Sequence, residues 1–135
     1  MLPIVPVARD GALPLSWMQQ RLWFLDQFDT AASAAYHMPG ALRLRGSLRI
    51  AALQAALDRI VLRHESLRTT FAQLDGEPAQ VIAPAMPFAL DQRDLSAQPV
   101  EAQQAAVRDA VADWLVRPFD LSAGPLVQGL LLRLS

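Results

Sequence analysis

The stretch Ile50–Phe71, IAALQAALDRIVLRHESLRTTF, decides how the rest of this chain is read. Ile50, Leu53, Leu57, Ile60 and Val61 follow the i, i+3, i+7, i+10, i+11 spacing of one helical face, and the same series lands on His64. Beyond it the period shortens: Leu67, Thr69 and Phe71 alternate with Arg68 and Thr70 as on a strand. The stretch is therefore expected to be a helix that feeds straight into a strand, with Arg63, His64, Glu65 and Arg68 crowded at the corner. Two readings of that polar cluster stand. Cations in a last helical turn complement the macrodipole and Glu65 neutralises a neighbouring arginine, or the cluster is a site. His64 lies on the face that the apolar residues bury, which favours a hydrogen-bonded core histidine over a general base.

Composition bounds the rest. At 135 residues and 53% hydrophobic, the chain can bury one core and is one domain or less. It has no apolar run of about 18 residues, so no membrane span is expected. The opening MLPIVPVARDG lacks the basic and apolar regions of a secretory signal, and a cytoplasmic location fits best. The absence of cysteine excludes disulfides, thiolate metal sites and cysteine nucleophiles. A formal net charge of -1, with both signs interspersed, gives no electrostatic footprint for nucleic acid or an anionic membrane. His37 and His64 have no close carboxylate or histidine neighbours at ligand spacing, so no metal site is expected.

Working outward, residues 1–14, with Pro3, Pro6 and Pro14, read as an extended lead-in. Ser16 and Gln19 have capping-box spacing and start a helix at Trp17. Met18, Leu22 and Leu25 form one stripe of it, widened by Trp17, Phe24 and Phe28, so the helix is expected to be buried on most sides. Arg21 within that pattern either finds a partner or snorkels to solvent along its aliphatic stem. Residues 29–35 read as a loop. The alternation Leu42, Arg43, Leu44, Arg45 suggests a half-exposed strand within Tyr36–Leu48, irregular at Pro39 and Gly40, and Ser47 is the candidate cap of the central helix.

After the central corner, Asp75-Gly76 is a type I′ hairpin signal with a return through Gln80, Val81 and Ile82. Phe88 to Gln92 form another short strand, and a third helix runs from near Pro99 to about Val116 with Val107, Val111, Trp114 and Leu115 on its buried stripe. Pro118 closes it, and Phe119 and Leu121 anchor the following loop. Leu126 to Leu134 is a nearly continuous apolar run, the mark of a strand covered on both faces. With no partner strand after it, the sequence looks cut, and self-association or dependence on a further segment is expected.

Two of these segments carry a resemblance. Ser16-Trp17-Met18-Gln19-Gln20-Arg21-Leu22-Trp23-Phe24-Leu25 resembles the first core motif of nonribosomal peptide synthetase condensation domains, SxAQxRLWxL, with Met18 in place of the usual alanine. Arg63-His64-Glu65-Ser66-Leu67-Arg68-Thr69-Thr70-Phe71 matches the second, RHExLRTxF, at every fixed position. The family's next motif, HHxxxDG, which carries the histidine of the reaction centre, does not occur here. The chain thus looks like a partial condensation domain over residues 15–135, truncated before that motif.

The resemblance implies an α+β fold, an incomplete chloramphenicol-acetyltransferase-like N-terminal half with a mixed sheet packed by about three helices. In such domains two halves form a tunnel, and peptidyl carrier proteins bring donor and acceptor thioesters to it on phosphopantetheine arms. The acceptor amine attacks the donor thioester to form an amide. No cofactor is bound directly, and no nucleic acid or membrane is a partner; the remainder of the domain is. No catalytic residue is expected in this chain, which alone is expected to be inactive. The resemblance makes Arg63 and Arg68 supports of the active-site loop, one of them through the aspartate of HHxxxDG, with Arg68 favoured; a planar guanidinium suits that role. His64 is expected in a buried structural hydrogen bond. Ser16, Gln19, Arg21 and Trp23 are expected to position the first helix near the tunnel. Ester formation or lipidation of a first amino acid within the same superfamily, and a docking or recruitment module without chemistry, remain alternative readings.

Overall fold

The first helix starts where the Ser16 and Gln19 spacing places it. In the computed structural model, which describes residues 3, 5, 6, 8, 9, 12–28 and 34–135, α1 spans Trp17–Phe28. The Gln19 N–H donates to Ser16 Oγ at 3.3 Å and the Ser16 N–H to Gln19 Oε1 at 2.8 Å, both halves of a capping box. The central helix α2 spans Ile50–Arg63 and the third, α3, Val100–Leu115. Most of the lead-in's first residues and residues 29–33 lie outside the described residues; residues 34–36 form a single 3-10 turn.

Strand β2 (Thr69–Leu74) and β3 (Glu77–Ile82) form the expected hairpin, with Leu74 opposite Glu77. Asp75 and Gly76 have φ of 52° and 86°, the left-handed pair that a type I′ turn demands. The end of the lead-in, β1 (Leu13–Pro14), adds to the other edge of β3, giving an antiparallel sheet in the order β1-β3-β2. A second sheet pairs β4 (Ala89–Asp94) with β5 (Gln128–Arg133) in parallel. Among the described residues, three α-helices with antiparallel and parallel sheets make the expected α+β class. The buried apolar core among the described residues is thin: Leu15, Val61, Ala79, Leu95 and Ala110.

Several expectations are corrected. Helix α2 does not run straight into β2: a 3-10 turn, Glu65–Arg68, intervenes, which tightens the corner. Ser47 is not the cap; Arg49 holds that position with extended backbone and no side-chain bond. Residues 37–45 are not a strand, and Met38 and Leu42 are 97% and 92% exposed. Alternation prepares a segment for pairing, but a ladder needs a neighbour, and among the described residues none lies beside it. Helix α1 is not covered on most sides either, since Trp17, Phe24 and Phe28 are exposed. Periodicity marks which residues are apolar, not what lies against them. Strand β5 is half-buried and pairs with β4 on one edge, whereas cover on both faces was expected. On α3, Val107 and Trp114 are half-buried while Val111 and Leu115 are exposed.

Candidate functional site

The RHExLRT corner is built by the end of α2. At His64 the backbone leaves the helix (φ −111°, ψ 98°), so its side chain no longer follows the apolar series and is exposed. Among the described residues the His64 side chain makes no hydrogen bond and is not buried, a correction whose cause is the change of backbone at the helix exit. Arg63, one residue earlier in the last turn, is exposed as well.

Arg68 goes the other way. Its side chain is 15% exposed; Nη1 donates to the Ala83 carbonyl, and Nη2 stands 3.8 Å from Glu65 Oε1. The second oxygen of Glu65 meets the Arg9 guanidinium, so one carboxylate links the lead-in to the corner. Ala83 N–H in turn donates to the Arg68 carbonyl at 3.0 Å, closing a reciprocal lock between the corner and the chain leaving β3. Thr69, the first residue of β2, is buried and gives its hydroxyl to the Glu65 carbonyl at 2.8 Å. Arg68 Nε is buried without a hydrogen-bond partner among the described residues. It borders a cavity of about 110 Å³ between the two sheets, shared with Thr70, Phe88, Gly124 and Val127.

The first-motif residues occupy a different place. Gln19 Nε2 donates to Gln80 Oε1 at 3.3 Å, and Gln80 Nε2 to the Pro14 carbonyl at 2.8 Å, so two amides tie α1 to β3 and β1. Exposed Arg21 and half-buried Trp23 line an open groove of about 520 Å³ against Glu77 and Pro78 at the hairpin's turn. That groove and the Arg68 corner lie at opposite ends of the β2–β3 ladder, roughly 17 Å apart for five strand steps. The two motifs flank one hairpin and, among the described residues, line two separate pockets. Arg21 is at the surface, as the snorkelling alternative has it.

Two arrangements were missed in the sequence. Gln54 and Asp58, one helical turn apart on α2, hold both backbone groups of Phe88. Their i, i+4 spacing is visible in the sequence, but nothing local names Phe88 as the partner. In the loop after α3, Asp120 Oδ1 accepts from Ser122 Oγ at 2.6 Å, Ser122 N at 2.8 Å and Ala123 N at 3.1 Å, an Asx turn that Asp-x-Ser spacing signals. These bonds, the Ser122 hydroxyl's first, hold the Asp120 carboxyl below its ordinary range. Leu121 then accepts the Phe71 N–H at 2.8 Å, fastening the loop to the free edge of β2.

The described residues contain no cluster of three or more His, Cys, Asp or Glu side chains fit to hold a metal, and no helix long and apolar enough to cross a membrane.

Residues 9–135 match the condensation domain family. The chain belongs to that family. It is 49% identical over 130 residues to a component of the linear gramicidin synthase of Brevibacillus parabrevis, covering 96% of this chain and 2% of that protein. It is 44% identical over 125 residues to phosphinothricin tripeptide synthetase PhsC of Streptomyces viridochromogenes, covering 93% of this chain and 11% of that one. Among solved structures, the first condensation domain of the calcium-dependent antibiotic synthetase superposes with a TM-score of 0.76 at 26% identity, over 93% of this chain and 30% of that chain. The starter condensation domain of rhizomide synthetase RzmA superposes with a TM-score of 0.74 at 26% identity, with the same coverage. The condensation fold, in its chloramphenicol-acetyltransferase-like form, is thus present here over under a third of those solved chains' length.

Proposed function

We propose that this chain is the N-terminal part of a condensation domain that joins carrier-bound aminoacyl or peptidyl thioesters through an amide bond during nonribosomal peptide synthesis in the cytoplasm. What supports the reading is the RHExLRTxF corner, with Arg68 locked inward between Glu65 and the Ala83 carbonyl, in a chain 49% identical to a segment of a linear gramicidin synthase. The substrates arrive on the phosphopantetheine arms of donor and acceptor carrier proteins. Tethering both reactants removes up to about 7–11 kcal/mol of the barrier to their meeting, so the protein's main work is alignment. Arg68 holds the helix-to-strand corner. The sequence favours Arg68 for the aspartate of an HHxxxDG loop; with Arg68 engaged by Ala83 and Glu65, exposed Arg63 at the end of α2 is the one open to it, and together they steady that loop. Ser16 and Gln19 fix the first helix, and Arg21 and Trp23 line its groove.

The test joins these residues to the remainder of a homologous condensation domain and supplies loaded donor and acceptor carriers, with the amide product read by mass spectrometry. Amide from the joined protein and none from the chain alone is the expected result. Product from the 135 residues alone overturns the expected inactivity. Carrier binding without product in the joined protein supports a recruitment module instead. A second reading has one observation in its favour: the rhizomide synthetase starter domain, whose structures include C8-CoA and Leu-SNAC complexes, shares this fold. Acceptance of an acyl-CoA donor in preference to an aminoacyl carrier would select it.

A further inference from the structure

We propose that Asp58, with Gln54 one turn earlier on α2, is a positioning residue for acyl transfer: the pair holds the backbone of Phe88 and so sets where β5 delivers whatever follows it. The inference rests on the amide-forming reading above. Asp58 Oδ1 accepts the Phe88 N–H at 2.8 Å and a Gln54 Nε2 hydrogen at 2.7 Å, and the same Gln54 nitrogen donates to the Phe88 carbonyl at 3.0 Å. Both backbone groups of the residue preceding β4 thus find partners on a helix, as they would on a neighbouring strand. Held at both, Phe88 can turn its ring but cannot translate.

The ring lies on Gly129 of β5, where a Cβ would meet Phe88 Cε1 at 2.9 Å. Gly129 is paired with Leu90 in the parallel ladder. Parallel strands have no tight turn to fix their register, and a slip of one residue would send Leu130, Leu131 and Leu132 to opposite faces. The clamp on Phe88 supplies the missing reference: helix, ring and glycine leave β5 one place to lie. From there the ladder runs four residues, about 13 Å, to Asp94 and Arg133. Where alignment is the main source of rate, an error of about 1 Å at the reacting centre costs on the order of a hundredfold.

In the intact condensation domain, Asp58→Ala is expected to lower kcat by about tenfold or more with the KM for the acceptor carrier unchanged. Asp58→Asn, whose Oδ1 still accepts from Phe88 N–H, should keep kcat within about threefold of the wild type. Amide exchange at Phe88 should be faster in Asp58→Ala and native in Asp58→Asn. Wild-type kcat in Asp58→Ala, an equal loss in Asp58→Asn, or a loss confined to KM overturns the proposal. If Asp58→Ala fails to fold, Gln54→Leu, which frees the Phe88 carbonyl and removes the Gln54 bond to Asp58 but leaves the Phe88 N–H on Asp58, is expected to lower kcat about threefold at unchanged KM, and an unaltered kcat overturns it. A wild-type domain that makes no amide sinks the functional reading instead; the Phe88 exchange rate in Asp58→Ala then decides the clamp, native exchange overturning it.

Discussion

Gly129→Ala is expected to change sign with its neighbour. On an open strand, replacing glycine with alanine stabilises by about 0.5–1 kcal/mol, because the unfolded chain loses less entropy on folding. Here the new Cβ would stand 2.9 Å from Phe88 Cε1 and 3.1 Å from Leu90 Cδ1. The leucine methyl can rotate aside. The phenylalanine ring cannot withdraw with its backbone, because Asp58 and Gln54 hold both its N–H and its carbonyl. Overpacking of this kind costs about 1–3 kcal/mol, so the net effect in the wild type is a loss of up to about 2.5 kcal/mol. Phe88→Leu removes the obstructing ring atoms, and in that background Gly129→Ala should instead stabilise by about 0.5–1 kcal/mol. The coupling is about 2 kcal/mol, well above the additivity error for independent sites. Urea unfolding of the four proteins, with unchanged m-values, measures it. If Gly129→Ala stabilises the wild type, or the coupling is under about 0.5 kcal/mol, Phe88 is not held as described.

Further outcomes follow from the same geometry. Arg68→Met should cost about 1–3 kcal/mol, chiefly by stranding the Ala83 carbonyl, whereas Arg63→Met should stay within about 0.5 kcal/mol; denaturation midpoints that rank them the other way would contradict the locked corner. The Glu65 pair adds little to the first figure, since that carboxylate is 41% exposed and such pairs are worth at most about 1 kcal/mol. Ser16→Ala should lose about 0.5–1 kcal/mol, with faster amide exchange at Gln19 confined to the first turn of α1. Asp120 has a folded pKa below its ordinary 3.8, so its contribution is present above that value and is lost as pH falls through the folded one. Asp120→Asn should therefore flatten the stability curve below about pH 4, and parallel acid limbs for the two proteins would count against the Asx turn.

Local chemistry was legible in the sequence. The capping box at Ser16 and Gln19, the type I′ turn at Asp75-Gly76, the exit of α2 near Arg63 and the stop at Pro118 all appear as read, because each is decided by neighbours within a few residues. The family followed from two motifs for the same reason of local residue identity. What the sequence alone could not decide was anything requiring a partner distant along the chain. His64 continued an apolar series on paper, yet the backbone turned at that residue. Residues 37–45 had strand alternation and no strand beside them among the described residues. Arg63 and Arg68 looked like a pair until the 3-10 turn sent one outward and the other to the Ala83 carbonyl. Phe88 became the hub of the second sheet only when α2 packed against it. Periodicity records which side chains are apolar; the packing of elements far apart in sequence determines which of them are covered and which polar atoms meet.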